Sequence, residues 1–286
     1  MSVRLGVLGL LGFIALAPVL LAIHYSYGPV TRFRVARFAR RQNLTITPDN
    51  GGTVIRYLAT TRRWRAAGIV VGYLASITIS ALHHGFTISS IALFAGWFVG
   101  ALAAEARVAH LRHGERRAAS LTVRRPATYV GPVARAYLPV AAGLSALVAL
   151  ATAIVAASGR PVGLEGLWLF LLAATVVVLV GLAGRVVLRR PQPAAAPDVI
   201  AADDAVRSRS LHALGAAGGT LVLYCVMAQL AVLPTSGRAA EAITAINGLG
   251  VLVVPVLGYV LATLRGPDRP GSAPPAGAVT TEAVAR

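Results

Sequence analysis

The chain has 286 residues, of which 56% are hydrophobic and only 13% charged, with mean hydropathy +0.71. A soluble domain carries about 25% charged residues, so this balance excludes an ordinary soluble globular protein. The net charge of +17 rests on 27 arginines and no lysine, which also excludes a retinal Schiff base and a Walker A phosphate loop. Arginine without lysine, beside abundant Ala, Gly, Val and Pro, is what GC-rich codons supply, and we read it as a bacterial compositional drift. Cys225 is the one cysteine and lies in an apolar run, which rules out a disulfide framework and a cysteine-based zinc site.

The apolar residues come in blocks close to the ~20 that a bilayer core requires. The first block, residues 5–25, has the position of a secretory signal. It is too long for a usual apolar signal core, and it ends in IHYSYG where a cleavage site would need small residues. It is expected to be a retained span with its N-terminus outside, kinked at Pro18.

Residues 26–65 follow, with nine arginines against one acid, Asp49. Arginine close to a span stays on the cytoplasmic side, so Arg32, Arg34, Arg37, Arg40, Arg41, Arg62, Arg63 and Arg65 are the topology-determining residues. Thr47, Pro48 and Asp49 have the pattern of a helix start. From Thr53 to Arg65, Val54, Tyr57, Leu58, Thr61 and Trp64 recur at three- and four-residue spacing. That spacing fits either a helix on the inner membrane surface or a cytoplasmic extension of the next span.

Six more runs complete the membrane domain, residues 1–264. Runs 66–84 and 88–106 enclose the tight turn Gly85, Phe86, Thr87, and the inner loop 107–136 then carries seven arginines and Glu115. Runs 137–157 and 164–184 enclose SGRPVG. The inner loop 185–212 has five arginines, three aspartates and a PQPAAAP centre predicted to be flexible. Runs 213–233 and 243–264 enclose PTSGRAAEA, and residues 265–286 are expected to be a disordered cytoplasmic tail.

The inner loops and tail hold 24 of the 27 arginines; Arg4, Arg160 and Arg238 fall outside. Basic charge spread over loops, and not gathered on a soluble domain, argues for positive-inside sorting and against nucleic acid as a partner. The expected fold is all-α: a polytopic integral membrane bundle of about seven transmembrane helices, N-terminus outside and C-terminus cytoplasmic, in a bacterial cell (cytoplasmic) membrane. The last six spans form three hairpins. The second helix of each ends in a glycine and then an arginine, so a decayed threefold repeat is an alternative to coincidence.

Ionisable residues deep in a span are the usual functional pointers, because burying one costs about 2.5–3.5 kcal/mol on the insertion scale. Only Glu105 and Glu165 come near, each at the end of a run. The deep polar residues are mild: Ser76, Thr78, Ser145, Thr152, Gln229 and Asn247. Asn247, in INGLG ahead of Pro255, is the candidate polar site, with a hydrogen bond to a neighbouring helix as the simpler account. His83 and His84 fit a polar turn at the interface, since no carboxylate or cysteine stands near to complete a zinc site. Glu105, His110 and His113 could share a face, but a five-residue step suits a helical face poorly, so no metal is expected. G-x-S-x-G and H-E-x-x-H are both missing. No catalytic, cofactor-binding or metal-binding residue is therefore assigned.

Glycines speak to packing. Gly96 and Gly100, with Ala104, make a small-residue stripe expected to let two helix backbones approach; Gly6, Gly9 and Gly12, and Gly215 with Gly219, are similar. Such stripes serve the bundle or a homo-oligomer. Three function classes remain. The leading one is a non-enzymatic component of a transport or signalling complex, docking through its arginine-rich loops to anionic headgroups or a protein partner. The others are a permease with a neutral polar pathway and an enzyme acting on lipid headgroups through Glu105, His110, His113 or Asp203 and Asp204. A reporter that fluoresces only in the cytoplasm should light up when fused after Arg286 or inserted within residues 107–136, and stay dark between residues 233 and 241. Fluorescence from the 233–241 insertion would sink the seven-span arrangement.

Overall fold

A computed structural model describes residues 16–82, 88–110, 117–118, 124–193, 196–264 and 266. Helix α1 covers Leu16–Tyr27. The others are α2 (Arg32–Gln42), α3 (Pro48–Leu82), α4 (Ser90–His110), α5 (Pro126–Tyr129), α6 (Pro132–Ala157), α7 (Glu165–Arg189), α8 (Pro197–Ala231) and α9 (Arg238–Thr263). Two short segments, β1 (Arg117–Ala118) and β2 (Gln192–Pro193), pair antiparallel. Six helices, α3, α4 and α6 to α9, are long and apolar enough to cross a membrane. This is an all-α, multi-pass membrane bundle. Of the expected first span, residues 5–15 lie outside the described residues and the rest belongs to α1.

Local chemistry sets the helix starts. Thr47 accepts the Asn50 N–H at its hydroxyl (3.2 Å), and Asn50 accepts the Thr47 N–H at its amide oxygen (2.9 Å). This reciprocal box pairs two of the amides that the first turn of α3 leaves over. Proline opens α5, α6 and α8, where its missing N–H would have had no helical partner in any case. Asn43 ends α2 in the left-handed region with φ 49°, a conformation asparagine tolerates.

Helices α3 and α8 each have 35 residues. At 1.5 Å per residue each is roughly 52 Å long, so about 20 Å projects beyond a ~30 Å hydrocarbon core. Residues 53–65 are thus the opening turns of α3 and not a separate surface helix. The expected loop 185–212 is likewise mostly helical: α7 runs to Arg189 and α8 begins at Pro197. The reason is packing as well as the proline start. Ala202, Ala205 and Val206 of α8 form a small core with Phe38, Val54, Tyr57 and Val108, away from the main one.

The main core is Phe98, Ala141, Ala173, Val176, Ala217, Leu221, Val222 and Cys225, contributed by α4, α6, α7 and α8. Its axis is α8. In the most apolar stretch of α8, 78% of residues are buried inside the protein, against 11% for α6. Small residues make the enclosure feasible: the Tyr137 ring lies against Gly219, Val180 against Gly218, and Thr220 against Gly258. The three hairpins are therefore not placed equivalently, since only the third supplies a central helix.

The closest approach of two backbones is between α3 and α4. A Cβ on Gly68 or Gly72 would fall on the carbonyl oxygen of Gly96 or Ala92, and one on Gly96 or Gly100 on that of Gly68 or Trp64. Ala104, one turn on, is fully buried. Replacing Gly100 with Leu would force the helices apart and forfeit many contacts of ~0.1–0.2 kcal/mol each. Val99 is 60% exposed on another face. Gly100→Leu should lower the melting temperature in detergent clearly more than Val99→Leu; equal values would mean that the two backbones do not meet.

Candidate functional site

The hairpin geometry collects the arginine-bearing ends of the helices at one pole of the bundle. Thr47 before α3 donates to Asp198 at the start of α8 (2.5 Å), and Arg190 after α7 reaches Glu105 at the end of α4. At the other pole the start of α7 meets the ends of α6 and α8, where Gly166 lies beside Thr152 and Val232.

Three carboxylates of the basic pole, Glu105, Asp203 and Asp204, have partners. Glu105 forms an ion pair with Arg190 at 2.9 Å, and Arg190 also donates to the Glu105 carbonyl at 2.8 Å. Asp203 accepts from both Nε (2.8 Å) and Nη2 (2.7 Å) of Arg207, one turn along α8. Arg207 is fully buried, and its remaining donors cap the end of α7 through the carbonyls of Val187 (3.0 Å) and Pro191 (3.1 Å). The Tyr129 hydroxyl donates to Asp204 at 3.1 Å, and burial with that neighbouring carboxylate holds the phenol above its ordinary pKa. Asp49, in the first turn of α3, is exposed.

Against this stands a cavity of about 630 Å³ between α1, α2, α3, α4, α8 and α9. Its polar side holds six arginines, Arg34, Arg37, Arg41, Arg62, Arg65 and Arg209, and no carboxylate among the described residues. Its apolar side, further from the basic pole along each helix, holds Leu21, Ala22, Ile69 and Trp97. Arg65 carries Nε and Nη2 buried without an acceptor among the described residues, and Arg62 does the same with Nε. Arg209 is half-buried and faces the like charges of Arg65 and Arg41.

Part of the cationic set is held in place by α1 and the turn after it. Arg62 donates to the carbonyls of Gly28 and Pro29, and the guanidinium groups of Arg34 and Arg62 lie over the Tyr25 ring at 4.6 and 5.7 Å. Cation–π contact and two carbonyls orient these groups but do not neutralise them. Burying an uncompensated charge is costly, so converging guanidinium groups with no counter-charge among the described residues have the chemistry to accept an anion.

No known protein family, curated protein or solved structure matches this chain. The site is therefore read from its own geometry. Of the arginines expected to set topology, Arg34, Arg37, Arg41, Arg62 and Arg65 line the cavity. Arg32, Arg40 and Arg63 are exposed, Arg63 lying 5.6 Å from the Tyr27 ring. Gly96, Gly100 and Ala104 belong to the α3–α4 contact. Asn247 is half-buried in α9, and its side-chain oxygen has no hydrogen-bond partner among the described residues. His83, His84 and His113 lie outside the described residues, as does the side chain of His110. The deep polar residues tie helices together: Gln229 donates to Ser145 at 2.8 Å, Tyr137 and Thr220 share a bond of 3.2 Å, and Ser76 accepts from the Ser89 N–H at 2.7 Å.

Arg209 is the site residue that the sequence reading passes over. The available signal was the run Pro197, Asp198 and then good helix formers, which makes residues 197–212 a helix and gives Arg207 and Arg209 different faces.

The Asp203–Arg207 pair gives a direct test. Removing one partner of a buried pair leaves an uncompensated charge and costs about 3–5 kcal/mol, whereas replacing both with apolar groups is far milder. Arg207→Met should therefore lower the melting temperature steeply, and Asp203→Leu combined with Arg207→Met should recover much of the loss. A double variant less stable than either single one would show that the two side chains are not coupled.

Proposed function

We propose that the protein is a non-enzymatic component of a bacterial cytoplasmic membrane, of the kind that serves a transport or signalling complex, and that it holds an anionic group in the arginine-lined cavity at its inner end. The observation that carries this reading is the cavity itself: six arginines, buried guanidinium nitrogens without acceptors, and no carboxylate among the described residues. The positive-inside rule puts this pole on the cytoplasmic side, with the C-terminus there and the N-terminus outside. Exposed Arg32, Arg40 and Arg63 on the same pole suit an acidic partner surface or anionic headgroups.

Two features favour binding over chemistry. Glu105, Asp203 and Asp204, the carboxylates nearest the inner surface, are held by Arg190, Arg207 and Tyr129 and do not line the cavity. General acid–base work needs a titratable group within hydrogen-bond reach of the reacting atom. A neutral permeation path is disfavoured because Ser145, Gln229, Thr220 and Tyr137 bond to one another across helices.

Purification of the full chain in mild detergent, followed by mass spectrometry, tests the reading. The wild-type protein should retain an anionic compound in near-stoichiometric amount, and Arg65→Gln combined with Arg209→Gln should retain at least tenfold less. Equal retention by the double variant would remove the cavity as the site.

A further inference from the structure

The cavity is two-sided in a way that a site for a small soluble anion has no need to be. Along α3 the lining passes from Arg62 and Arg65 to Ala66 and Ile69, one to two turns deeper in the bundle. On α1 it passes from Tyr25 to Ala22 and Leu21, and on α4 it is Trp97 that faces in. Arg209 of α8 and the last turn of α9, with Tyr259, Ala262 and Thr263, complete the lining. The cationic groups thus lie only at the end nearer the basic pole, beside Val30, Phe38 and Leu58, and the end nearer the membrane interior has Leu21, Ala22, Ile69 and Trp97 without a charged group. Leu21 and Ile69 are 68% and 42% exposed, so the apolar end is open to the surroundings of the bundle.

The geometry points to a phosphate-bearing lipid as the occupant: its phosphate among Arg34, Arg62, Arg65 and Arg209, and the start of its acyl chains along Leu21, Ile69 and Trp97. This rests on the anion-binding reading above and names its ligand class. Guanidinium forks match the oxygens of a phosphate in pairs, and one phosphate offers acceptors to several donors at once. The buried Nε and Nη2 of Arg65 and Nε of Arg62 are donors of that kind. The cavity volume, about 630 Å³, lies within the ~300–1,000 Å³ of ordinary ligand sites and suits a headgroup with its glycerol better than a lone phosphate ion. Basic pockets between helices at the cytoplasmic surface are a recurrent form of anionic-lipid recognition.

Trp97 supplies the readout, since the other tryptophans, Trp64 and Trp168, do not line the cavity. With Trp64→Phe and Trp168→Phe in the full chain, Trp97 becomes the only indole. The protein is placed in nanodiscs of unlabelled phosphatidylcholine containing a few per cent of lipid brominated high on its acyl chains. Brominated phosphatidylglycerol should quench Trp97 at a mole fraction at least tenfold lower than brominated phosphatidylcholine. Arg65→Gln with Arg209→Gln should abolish that preference, while Arg185→Gln with Arg189→Gln, the same charge change outside the cavity, should leave it intact. Inorganic phosphate at tens of millimolar and constant ionic strength should not reverse the quenching. The wild-type comparison of the two lipids needs no arginine variant, so a misfolded variant does not blunt the test. Equal quenching by the two lipids, together with a Trp97 signal and melting temperature that respond to inorganic phosphate only in the wild type, would overturn the lipid and leave the anion site standing. No response to either lipid charge or phosphate would overturn both.

Discussion

A guanidinium group is expensive to leave in hydrocarbon, and that single constraint organises this protein. With 27 arginines and no lysine, the chain's basic charge rests on a group that does not shed its proton to evade that cost. Most of the flanking arginines share one pole, and several inter-helix contacts at that pole are shaped by how positive charge is disposed of. Three solutions are visible. Arg207 takes the Asp203 carboxylate and carbonyls at the end of α7, and Arg190 takes the carboxylate and carbonyl of Glu105 on α4. Arg34 and Arg62 lie over an aromatic ring. Arg65 has two buried nitrogens without an acceptor among the described residues, and the cavity lies where it converges with Arg209.

The second organising fact is the enclosure of α8. In a bilayer the apolar drive between helices is largely absent, so a helix is enclosed only if its shape admits neighbours on all sides. Ala213, Ala216, Ala217, Gly218 and Gly219 give α8 that shape, and Tyr137, Val176 and Val180 fill the space around it. Polar residues follow from the enclosure, since Gln229, Thr220 and Ser208 each find a partner on α6 or just ahead of it: Ser145, Tyr137 and the Tyr129 carbonyl. The outer helices need no such partners and show the opposite pattern, with Leu167, Trp168, Leu249 and Leu252 outward.

Much of the architecture was legible before any coordinates, because hydrophobic block length and arginine placement are local, additive signals. The runs at 88–106, 137–157, 164–184 and 243–264 each fall largely within one helix. Less legible was everything that depends on which residues meet. Residues 185–212 look like a loop because arginines and aspartates lower their hydropathy, yet Asp203 and Arg207 cancel one turn apart on a buried helix. Glu105 and Arg190 are 85 positions apart, and no periodicity links them. Gly68 and Gly72 complete the α3–α4 contact as surely as Gly96 and Gly100, but in α3 they sit among β-branched residues that hide the stripe. Arginine counts marked which helix ends carry the basic charge and said nothing of which guanidinium groups would face a common void, since that needs the rotation of each helix about its own axis.

The central position of α8 has a consequence for how the chain is made. Synthesis delivers α3, α4, α6 and α7 to the membrane before α8, the penultimate long helix, emerges. The tight α3–α4 contact needs no later element, so those two helices can settle as a finished pair. The inward faces of α6 and α7 cannot: Ser145 has no Gln229 to accept from, and Ala141, Ala173 and Val176 share a core with Phe98 but lack Ala217, Leu221, Val222 and Cys225 of α8. The half-built bundle is an open cleft of provisional lipid contacts whose closure waits on a single late strut. Damage to α8 therefore acts during biogenesis, on an intermediate that lingers, and not only on the stability of the finished molecule.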